Sequence, residues 1–308
     1  MVVIFFGTPG FALPILNGLR VRHQLKAVVT QPDKPKGRHL NIRPSAAKEW
    51  ALQYNIPVLE PELLREPAFL NSLRALKPEA IVVAAYGKIL HRDLLDLPKH
   101  GCLNIHASLL PRYRGAAPIQ RAIMDDMEVT GVTVMQMAEG MDTGDILDQA
   151  EVAIGPEDEA ASLAAKLAEA GARLILETLS EIESGSLKPI KQDEALATYA
   201  PPIAKAESDI VWSWPAPRIV NLIRALNPAP GAYTCWRQRR LKIWKALSVP
   251  HETLQGEFDI HDKTLLVGAG WGAIEVLELQ PEGKNIMGAA EFIRGYRPRS
   301  GEKVGDLV

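Results

Sequence analysis

The sequence predicts two domains: an α/β domain with a mostly parallel sheet, followed by a smaller antiparallel β domain. Its 308 residues exceed the size of one typical domain. In the first part of the chain, continuous apolar runs alternate with helical segments, as strands and crossover helices do in an α/β sheet. From residue 208 onward, short β-like pieces are separated by glycine and proline. We place the domains at 1–188 and 208–308, with a linker at 189–207.

The first domain owes its predicted strands to runs of consecutive apolar residues, the pattern of a strand buried on both faces. These strands are 2–6, 26–30, 80–85 and 102–105, and two further strand-like segments, 132–137 and 146–154, flank the loop 140–145. Helical periodicity predicts the helices between and after them. The helices are 12–20, 45–54, 66–76 and 159–184. Ser45 precedes Glu49 by four residues, close to the pattern of a capping box, and Gly185 ends the last helix.

The second domain follows a stretch of weak patterning at 186–205, which holds three prolines and is predicted to be the linker. A helix at 217–226 comes next, and four β-like segments follow it. These segments are 232–236, 241–244, 264–268 and 273–279. Short strands at this spacing are typical of a small antiparallel barrel or sandwich.

Composition excludes several classes of protein. With 47% hydrophobic and 23% charged residues, the chain is neither disordered nor fibrous. Cys102 and Cys235 form no CxxC pair, and no His/Cys cluster has zinc-ligand spacing, so neither disulfides nor a metal site are predicted. No apolar run is long enough for a signal peptide or a membrane span. We expect a soluble, cytoplasmic protein.

The distribution of charge matters more than its sum. The net charge of -2 argues against nucleic-acid binding over the whole surface. Residues 210–251, however, contain seven Lys or Arg and no Asp or Glu. Five of the seven lie in 237–245, beside Trp236 and Trp244. Such a block suits a phosphate backbone, and the alternative is a solvated strand face. The candidate contacts are Arg237, Arg239, Arg240 and Lys242.

The densest candidate site is the segment 104–118. Asn104 and His106 are two residues apart on a predicted strand, so both side chains lie on one face near its carboxyl end, where open α/β sheets bind ligands. A Pro/Gly-rich loop follows, and a helix is predicted to begin near Pro118. Polar side chains on a buried strand are costly unless they are paired or functional. A structural Asn–His pair is the alternative.

Two loops add further candidates. The loop 140–145 holds Asp142 and Asp145 between glycines, and the alternative is an ordinary hairpin turn. The long loop 30–45 is rich in proline and basic residues, and the alternative is a solvated surface loop. Its basic residues are Lys34, Lys36, Arg38 and Arg43. The chain lacks GxGxxG and Walker A motifs, so binding of dinucleotides or of nucleotides by a P-loop is not predicted.

Together these segments resemble the methionyl-tRNA formyltransferase family over essentially the whole chain. The motifs of the first domain are Phe6-Gly-Thr-Pro9, Thr30-Gln-Pro-Asp33, Ala84-Ala-Tyr-Gly87, His106-Ala-Ser-Leu-Leu-Pro111, Arg114-Gly-Ala-Ala-Pro-Ile-Gln120 and Gly140-Met-Asp-Thr-Gly-Asp145. In the second domain, Arg224-Ala-Leu-Asn-Pro228 and Lys242-Ile-Trp-Lys-Ala246 favour the tRNA-formylating branch and a few close relatives.

The resemblance implies a fold, a reaction and a set of site residues. It implies a Rossmann-like catalytic domain and a C-terminal tRNA-binding barrel resembling an OB fold. The formyl group moves from 10-formyltetrahydrofolate to the α-amine of methionine on initiator Met-tRNA, for translation initiation, without a metal. We expect a monomer. The implied catalytic residues are Asn104, His106 and Asp142. The implied folate-binding residues are Ser108, Leu109, Leu110, Pro111, Tyr86, Gly87 and Asp145. Arg38 is implied to meet the acceptor end of the tRNA.

Chemistry assigns a role to each member of the implied trio. Asn104 and a protonated His106 can donate hydrogen bonds to the oxyanion that develops on the formyl carbon. Asp142 can orient His106, favour its imidazolium form and take up the amine proton through a water.

One departure from the family is visible. After Arg38 the chain reads His39-Leu-Asn-Ile-Arg43, which is less basic than is usual. We therefore expect tRNA affinity to depend more on the block at 237–245. Two alternatives share this scaffold: a formyltransferase for a nucleotide-linked amino sugar, and a formylfolate hydrolase domain. A non-catalytic folate- or RNA-binding protein is a third. The basic block and the Arg38 loop favour tRNA, and an intact trio favours catalysis.

Overall fold

The computed structural model describes residues 1–36 and 41–305, which pack into two compact units. The first unit comprises 1–118, 129–153 and 164–200. The second comprises 119–128, 154–163 and the chain from 201 onward. The main division, between 200 and 201, falls inside the expected linker. Across the described ranges, we find no helix with the length and apolar character that crossing a membrane requires.

The first unit is an α/β structure. In chain order, its strands are β1 (Val2–Gly7), β2 (Gln24–Val29), β3 (Lys34–Lys36), β4 (Asn41–Arg43), β5 (Val58–Leu59), β6 (Ala80–Ala84), β7 (Cys102–His106), β8 (Arg114–Gly115), β9 (Val129–Gln136), β10 (Ile146–Ala153) and β11 (Tyr199–Ala200). The helices up to residue 184 are α1 (Ala12–Arg22), α2 (Ala46–Gln53), α3 (Pro67–Ala75), α4 (Arg92–Leu95), α5 (Pro118–Met124) and α6 (Ala160–Ser184). All the strands and helices predicted for this part of the chain are confirmed, with shifts of one to a few residues at their ends.

Seven of these strands form one sheet in the order β10-β9-β7-β6-β1-β2-β5. The strands from β7 to β5 are parallel, whereas β9 is antiparallel to both of its neighbours, β7 and the edge strand β10. This confirms the mostly parallel sheet. Residues 3–6 of β1 and 80–84 of β6 are buried throughout, because covered faces on both sides leave no place for polar residues. Strand β7, next to the antiparallel edge, carries Asn104 and His106.

The loop 30–45 forms an antiparallel hairpin of β3 and β4, in which Lys34 is paired with Arg43. At its root the Thr30 and Ser45 hydroxyls are 2.8 Å apart. The Ser45 side chain also accepts from the Lys48 N–H, which confirms Ser45 as the N-cap of α2. Residues 37–40, which include the predicted tRNA contact Arg38, lie outside the described residues.

The stretch expected to be a linker is built into the first unit as far as residue 200. Strand β11 pairs in parallel with β8, and the Ala117 N–H donates to the Ala200 carbonyl. A short 3-10 helix, Glu194–Leu196, precedes this pairing. A strand of two residues carries no periodicity, so the sequence could not indicate it.

The second unit is dominated by antiparallel β structure. After a 3-10 helix at Lys205–Ser208, its elements are α7 (Ala216–Ala225), β12 (Ala232–Trp236), β13 (Arg239–Val249), β14 (Phe258–His261), β15 (Thr264–Gly268), β16 (Ala273–Pro281), β17 (Met287–Gly288) and α8 (Ala289–Tyr296). The sheet order is β12-β13-β16-β15-β14, with β17 on β16. The predicted helix and four predicted strands are confirmed, whereas β14, β17 and α8 were not predicted. Cys102 and Cys235 are both free thiols.

Trp236 is the centre of the aromatic core in this unit. Its ring contacts Phe258 and Phe292, with centroids 5.8 and 5.1 Å away. Its Nε1–H donates to Glu302 at 2.9 Å, and Arg237 donates to the same carboxylate at 3.0 and 2.7 Å. The segment 210–251, which contains no Asp or Glu, is therefore contacted in the folded protein by the carboxylate of Glu302. The charge of Arg237 is engaged within the protein.

Replacement of Glu302 by Gln tests the ion pair between Arg237 and Glu302. The hydrogen bond from Arg237 holds the pKa of Glu302 below its usual range. A carboxyl group with a depressed folded-state pKa stabilises the fold above its unfolded-state pKa, and that stability is lost as the pH falls through the folded-state pKa. We expect Glu302→Gln to lower the melting temperature at neutral pH. The difference should shrink as the pH falls below the ordinary glutamate pKa of about 4.3 and through the depressed folded-state pKa.

Thermal unfolding followed by circular dichroism between pH 7 and pH 3 measures this effect. Glu252→Gln, at an exposed carboxylate of the same unit, is the matched control and should leave the melting temperature unchanged. A Glu302→Gln defect that persists at acid pH would show that packing, and not the ion pair, is responsible.

Candidate active site

Asn104 and His106 lie on one face of β7, because successive side chains on a strand alternate between faces. His106 is buried and Asn104 is half-buried. Among the described residues, the Asn104 carboxamide has no hydrogen-bond partner, so its N–H donors are available to a ligand. The two residues singled out in the sequence are therefore side by side, and one has its hydrogen-bonding groups available.

The His106 ring is hydrogen-bonded through one nitrogen and faces Asp142 with the other. Nε2 is 3.0 Å from the Tyr113 carbonyl oxygen. Because a carbonyl oxygen can only accept, Nε2 carries a proton and donates it. Nδ1 is 3.6 Å from Oδ2 of Asp142. A neutral ring therefore directs the lone pair of Nδ1 at the carboxylate, and the two atoms can hold one further proton between them.

Asp142 lies at the tip of the turn between β9 and β10, with a left-handed backbone (φ 53°). Its Oδ2 accepts a hydrogen bond from the Gly115 N–H at 2.8 Å. A Cβ on Gly144 would lie 1.6 Å from the carbonyl oxygen of Gln136, so only glycine fits there. The glycine of the motif allows the tight turn that presents Asp142 to His106.

Gln192 holds the same turn from outside the motif. Its Nε2 donates to the carbonyls of Asp142 and Gly144 at 2.8 and 2.7 Å. Its Oε1 accepts from the Arg114 guanidinium at 3.0 and 2.7 Å. Arg114 is 1% exposed and also forms an ion pair with Glu194 at 2.8 Å. Every hydrogen-bonding position of the Gln192 amide is used, so this residue fixes the turn rather than filling space.

The predicted folate segment 108–111 lies against β9 and β10. The Ser108 hydroxyl is buried and donates to the Arg112 carbonyl at 2.6 Å, just after the segment, and Thr133 Oγ1 accepts from the Leu110 N–H at 3.0 Å. Gln149 Nε2 donates to the Leu110 carbonyl at 2.9 Å. The half-buried members are Leu109 and Pro111. Because the side chains of Ser108 and Leu110 are buried, a ligand can contact this segment only through its main chain and the side chains of Leu109 and Pro111.

The other predicted folate residues differ in accessibility. The Tyr86 ring is 2% exposed and packs edge-on against Phe6, with centroids 5.2 Å apart. Burial raises the pKa of Tyr86 to about 12. The Tyr86 side chain thus packs in the core, so we expect any folate contact at this position to be made by its main chain. Gly87 follows with φ 76°, next to Gln31, and Asp145 is half-buried.

The structure also contains a recess that the sequence did not indicate, and one of its lining residues precedes the Asp142 turn in the chain. It has a volume of about 340 Å³ and is lined by Arg65, residues 89–93 and Glu139, three residues before Asp142. Ile89, in its wall, is 76% exposed. An exposed apolar residue in a concave wall is suited to cover a flat ligand.

The predicted tRNA contacts of the second unit lie at the start of β13. The Arg240 guanidinium is 4.2 Å from the centroid of the Tyr233 ring, and Lys242 Nζ is 5.1 Å from that of Trp244. Burial lowers the pKa of Lys242. Arg239 is exposed and forms no ion pair with any residue in the described ranges. We call Arg239, Arg240 and Lys242 the basic surface; Arg237 is excluded because Glu302 neutralises it.

Both parts of the chain are those of a formyl transferase. A family model described as formyl transferase matches residues 1–179, and one for the formyl transferase C-terminal domain matches 202–297. The methionyl-tRNA formyltransferase of Koribacter versatilis is 46% identical over 310 aligned residues, covering 100% of this chain and 99% of that protein. That of Caldanaerobacter subterraneus subsp. tengcongensis is 47% identical over 300, covering 96% and 97%. The chain belongs to the methionyl-tRNA formyltransferase family.

The fold agrees with a solved structure of a similar protein. The methionyl-tRNA formyltransferase from Clostridium thermocellum superposes with a TM-score of 0.56 at 18% identity, covering 87% of this chain and 100% of that one. At this identity the likeness concerns the fold alone.

The replacement Gln192→Glu tests the turn. A carboxylate keeps the contact with Arg114 but cannot donate to the carbonyls of Asp142 and Gly144, which then lose their partner. Two lost hydrogen bonds of about 1 kcal/mol each should lower the melting temperature by about 4–8 °C. Differential scanning calorimetry measures the shift. Gln53→Glu, on the exposed side of α2, is the control. An equal fall in melting temperature in both variants would show that the hydrogen bonds from Gln192 do not stabilise the turn at Asp142 and Gly144.

Proposed function

We propose that this protein transfers the formyl group of 10-formyltetrahydrofolate to the α-amine of methionine on initiator Met-tRNA. The observation that carries the proposal is the Asn104, His106 and Asp142 cluster, in a chain that is 46% identical over its full length to a methionyl-tRNA formyltransferase. The reaction forms a bond between the amine and the formyl carbon and breaks the bond from that carbon to N10 of the folate. We place it in the cytoplasm, where translation begins.

Asn104 stabilises the oxyanion. When the amine adds to the formyl carbon, negative charge develops on the formyl oxygen. The half-buried Asn104 carboxamide has no hydrogen-bond partner among the described residues and can donate an N–H to that oxygen. His106 directs its Nε2–H at the Tyr113 carbonyl, which makes it a weaker candidate for this donation than expected from the sequence.

The His106–Asp142 pair moves the proton. The attacking amine loses one proton as it becomes an amide, and N10 gains one as it leaves. Nδ1 of His106 and Oδ2 of Asp142, 3.6 Å apart, can accept that proton, directly or through a water, and return it to N10. The protonated pair is an imidazolium beside a carboxylate, which spreads the charge of the intermediate. No proton needs to be exchanged with bulk solvent in this scheme.

We propose that the formyl donor binds beside the trio. Main-chain groups at 108–111, 86–87 and 145 would border the folate, with Leu109 and Pro111 as side-chain contacts. We propose that the recess lined by residues 89–93 and Glu139 accommodates its flat ring system, with Ile89 against one face. The folate is a co-substrate, and the scheme above requires no metal.

The tRNA would contact the basic surface of the second unit and the β3–β4 hairpin. Arg240 and Lys242 already stack on aromatic rings, which holds their charges in place for phosphate contacts. We propose that Lys34, Lys36 and Arg43 of the hairpin strands, together with Arg38 from the sequence motif, add to these contacts. We keep the functional division into a catalytic domain (1–188), linker (189–207) and tRNA-binding domain (208–308). An OB-like barrel remains our proposal for the last, and a monomer for the whole.

One assay distinguishes the proposed function from its alternatives. The purified protein is incubated with 10-formyltetrahydrofolate and charged initiator tRNA, and the aminoacyl group is analysed by mass spectrometry. We expect formyl-methionine on the tRNA. Parallel reactions replace the tRNA with a nucleotide-linked amino sugar or with buffer alone. Formylation of the sugar, or release of formate without an acceptor, would instead support a sugar formyltransferase or a hydrolase.

Replacements in the trio should abolish most of the activity. Asn104→Ala removes an oxyanion donor and Asp142→Ala removes half of the proton acceptor, so each should lower kcat by at least ~100-fold. Asn71→Ala, at an exposed asparagine of α3, should retain full activity. Folding is checked by circular dichroism. Near-normal turnover in either trio variant would refute the assignment.

Charge reversal on the basic surface should weaken tRNA binding. The double replacement Arg239→Glu and Arg240→Glu should raise KM for Met-tRNA while leaving kcat nearly unchanged. The slope of log KM against log salt should fall by about one to two. The control, Lys263→Glu with Arg294→Glu, changes net charge equally at exposed sites of the same unit. An unchanged KM at low salt in the first variant would place the tRNA elsewhere.

A further inference from the structure

We propose that His251, Asp259 and His261 form a binding site for a divalent transition-metal ion in the second unit, with Zn²⁺ as its best fit. Nε2 of His251 and Nε2 of His261 are 2.7 and 3.0 Å from the same oxygen, Oδ2 of Asp259. All three candidate ligand atoms lie within 4.8 Å of one another. The site shares no residue with the catalytic trio and does not depend on the formylation reaction.

The fold brings the three ligands together from two segments. Asp259 and His261 are two residues apart on β14, so their side chains share one face of that strand. His251 follows the end of β13, and its N–H donates to the Val249 carbonyl. The two imidazole rings are nearly perpendicular, at 78°, with centroids 5.9 Å apart. The histidine and aspartate spacing in the sequence matches no zinc motif, which explains why the sequence did not predict the site.

The chemistry of this donor set favours a transition-metal ion over Ca²⁺ or Mg²⁺. Two imidazole nitrogens and one carboxylate oxygen suit Zn²⁺, Ni²⁺ and Cu²⁺, whereas Ca²⁺ and Mg²⁺ prefer oxygen ligands alone. Three protein ligands leave the fourth tetrahedral position to water. A tetrahedral ion with bonds of about 2.0–2.2 Å needs ligand atoms roughly 3.3 Å apart. The present contacts must open by about half an ångström.

The surroundings permit that adjustment. The His251 and His261 side chains are 35% and 64% exposed, so the rings have room to move and an ion has an open path. Asp259 Oδ1 is 3.4 Å from the Ser300 hydroxyl, a contact of the kind that orients a ligating carboxylate. Each Nε2 now donates to the carboxylate, so on metal binding its proton leaves or moves to Nδ1.

A bound ion would join separate parts of the second unit. His251 belongs to the connection between β13 and β14, and Asp259 and His261 belong to the β14–β15 hairpin. Ser300 belongs to the C-terminal segment, which pairs with β14 through the hydrogen bond from the Phe258 N–H to the Glu302 carbonyl. We therefore assign the ion a structural role: it stabilises this part of the unit against local opening.

Isothermal titration calorimetry of the full-length, untagged protein with ZnCl₂ tests the proposal. We expect one site per chain with Kd on the order of 1–10 μM, as befits an open three-ligand site. His261→Asn and Asp259→Asn should each weaken binding by at least about tenfold. His91→Gln, at a histidine of the first unit, is the matched control and should leave Kd unchanged. Circular dichroism verifies that the variants are folded.

A second measurement locates the ion without reference to affinity. Co²⁺ added to the parent protein should give the intense visible absorption of a four-coordinate site, and this absorption should be absent from His261→Asn and present in His91→Gln. Failure of the parent protein to bind either ion overturns the proposal. Equal binding by the parent, His261→Asn and Asp259→Asn overturns it as well, because the ion would then lie elsewhere.

Discussion

The contact between Asp142 and His106 is the interaction on which the rest of the site depends. An aspartate with a left-handed backbone is uncommon, and this one is kept in place by three neighbours. The Gly115 N–H donates to its carboxylate, and Gln192 donates to its carbonyl. The backbone at Gly144 lies too close to the Gln136 carbonyl for any residue with a Cβ. The constraint sets the direction of the carboxylate, which in turn faces the one nitrogen of His106 that is not engaged by a carbonyl.

The support for this contact extends well beyond the motif. Gln192 is itself held by the buried Arg114, and Arg114 is neutralised by Glu194. A buried guanidinium without a carboxylate partner would be strongly destabilising, so the chain through 192–194 is a structural requirement. The first part of the expected linker, up to residue 200, therefore supports the candidate active site and belongs to the first unit.

Much of the fold follows from local pattern, and the rest depends on distant contacts. The strands at β1, β6 and β7 are continuous apolar runs, and Asn104 stands out because it is polar on such a strand. Nothing local indicates Gln192, because its role depends on carbonyls about fifty positions earlier in the chain. Arg237 is neutralised by Glu302, which is 65 residues away in the chain. The charge of a surface in the folded protein therefore cannot be predicted from the absence of acidic residues in one segment of the sequence.

The protonation of His106 is the most direct test of this account. If Nε2 donates to the Tyr113 carbonyl, the neutral ring must be the Nε2–H tautomer, with Nδ1 facing Asp142. The ¹⁵N chemical shifts of His106, measured at a pH where the ring is neutral, distinguish the two tautomers. We predict a protonated Nε2 and an unprotonated Nδ1. A proton on Nδ1 in the neutral ring would contradict the account, because Nδ1 could then not receive the proton of the amine.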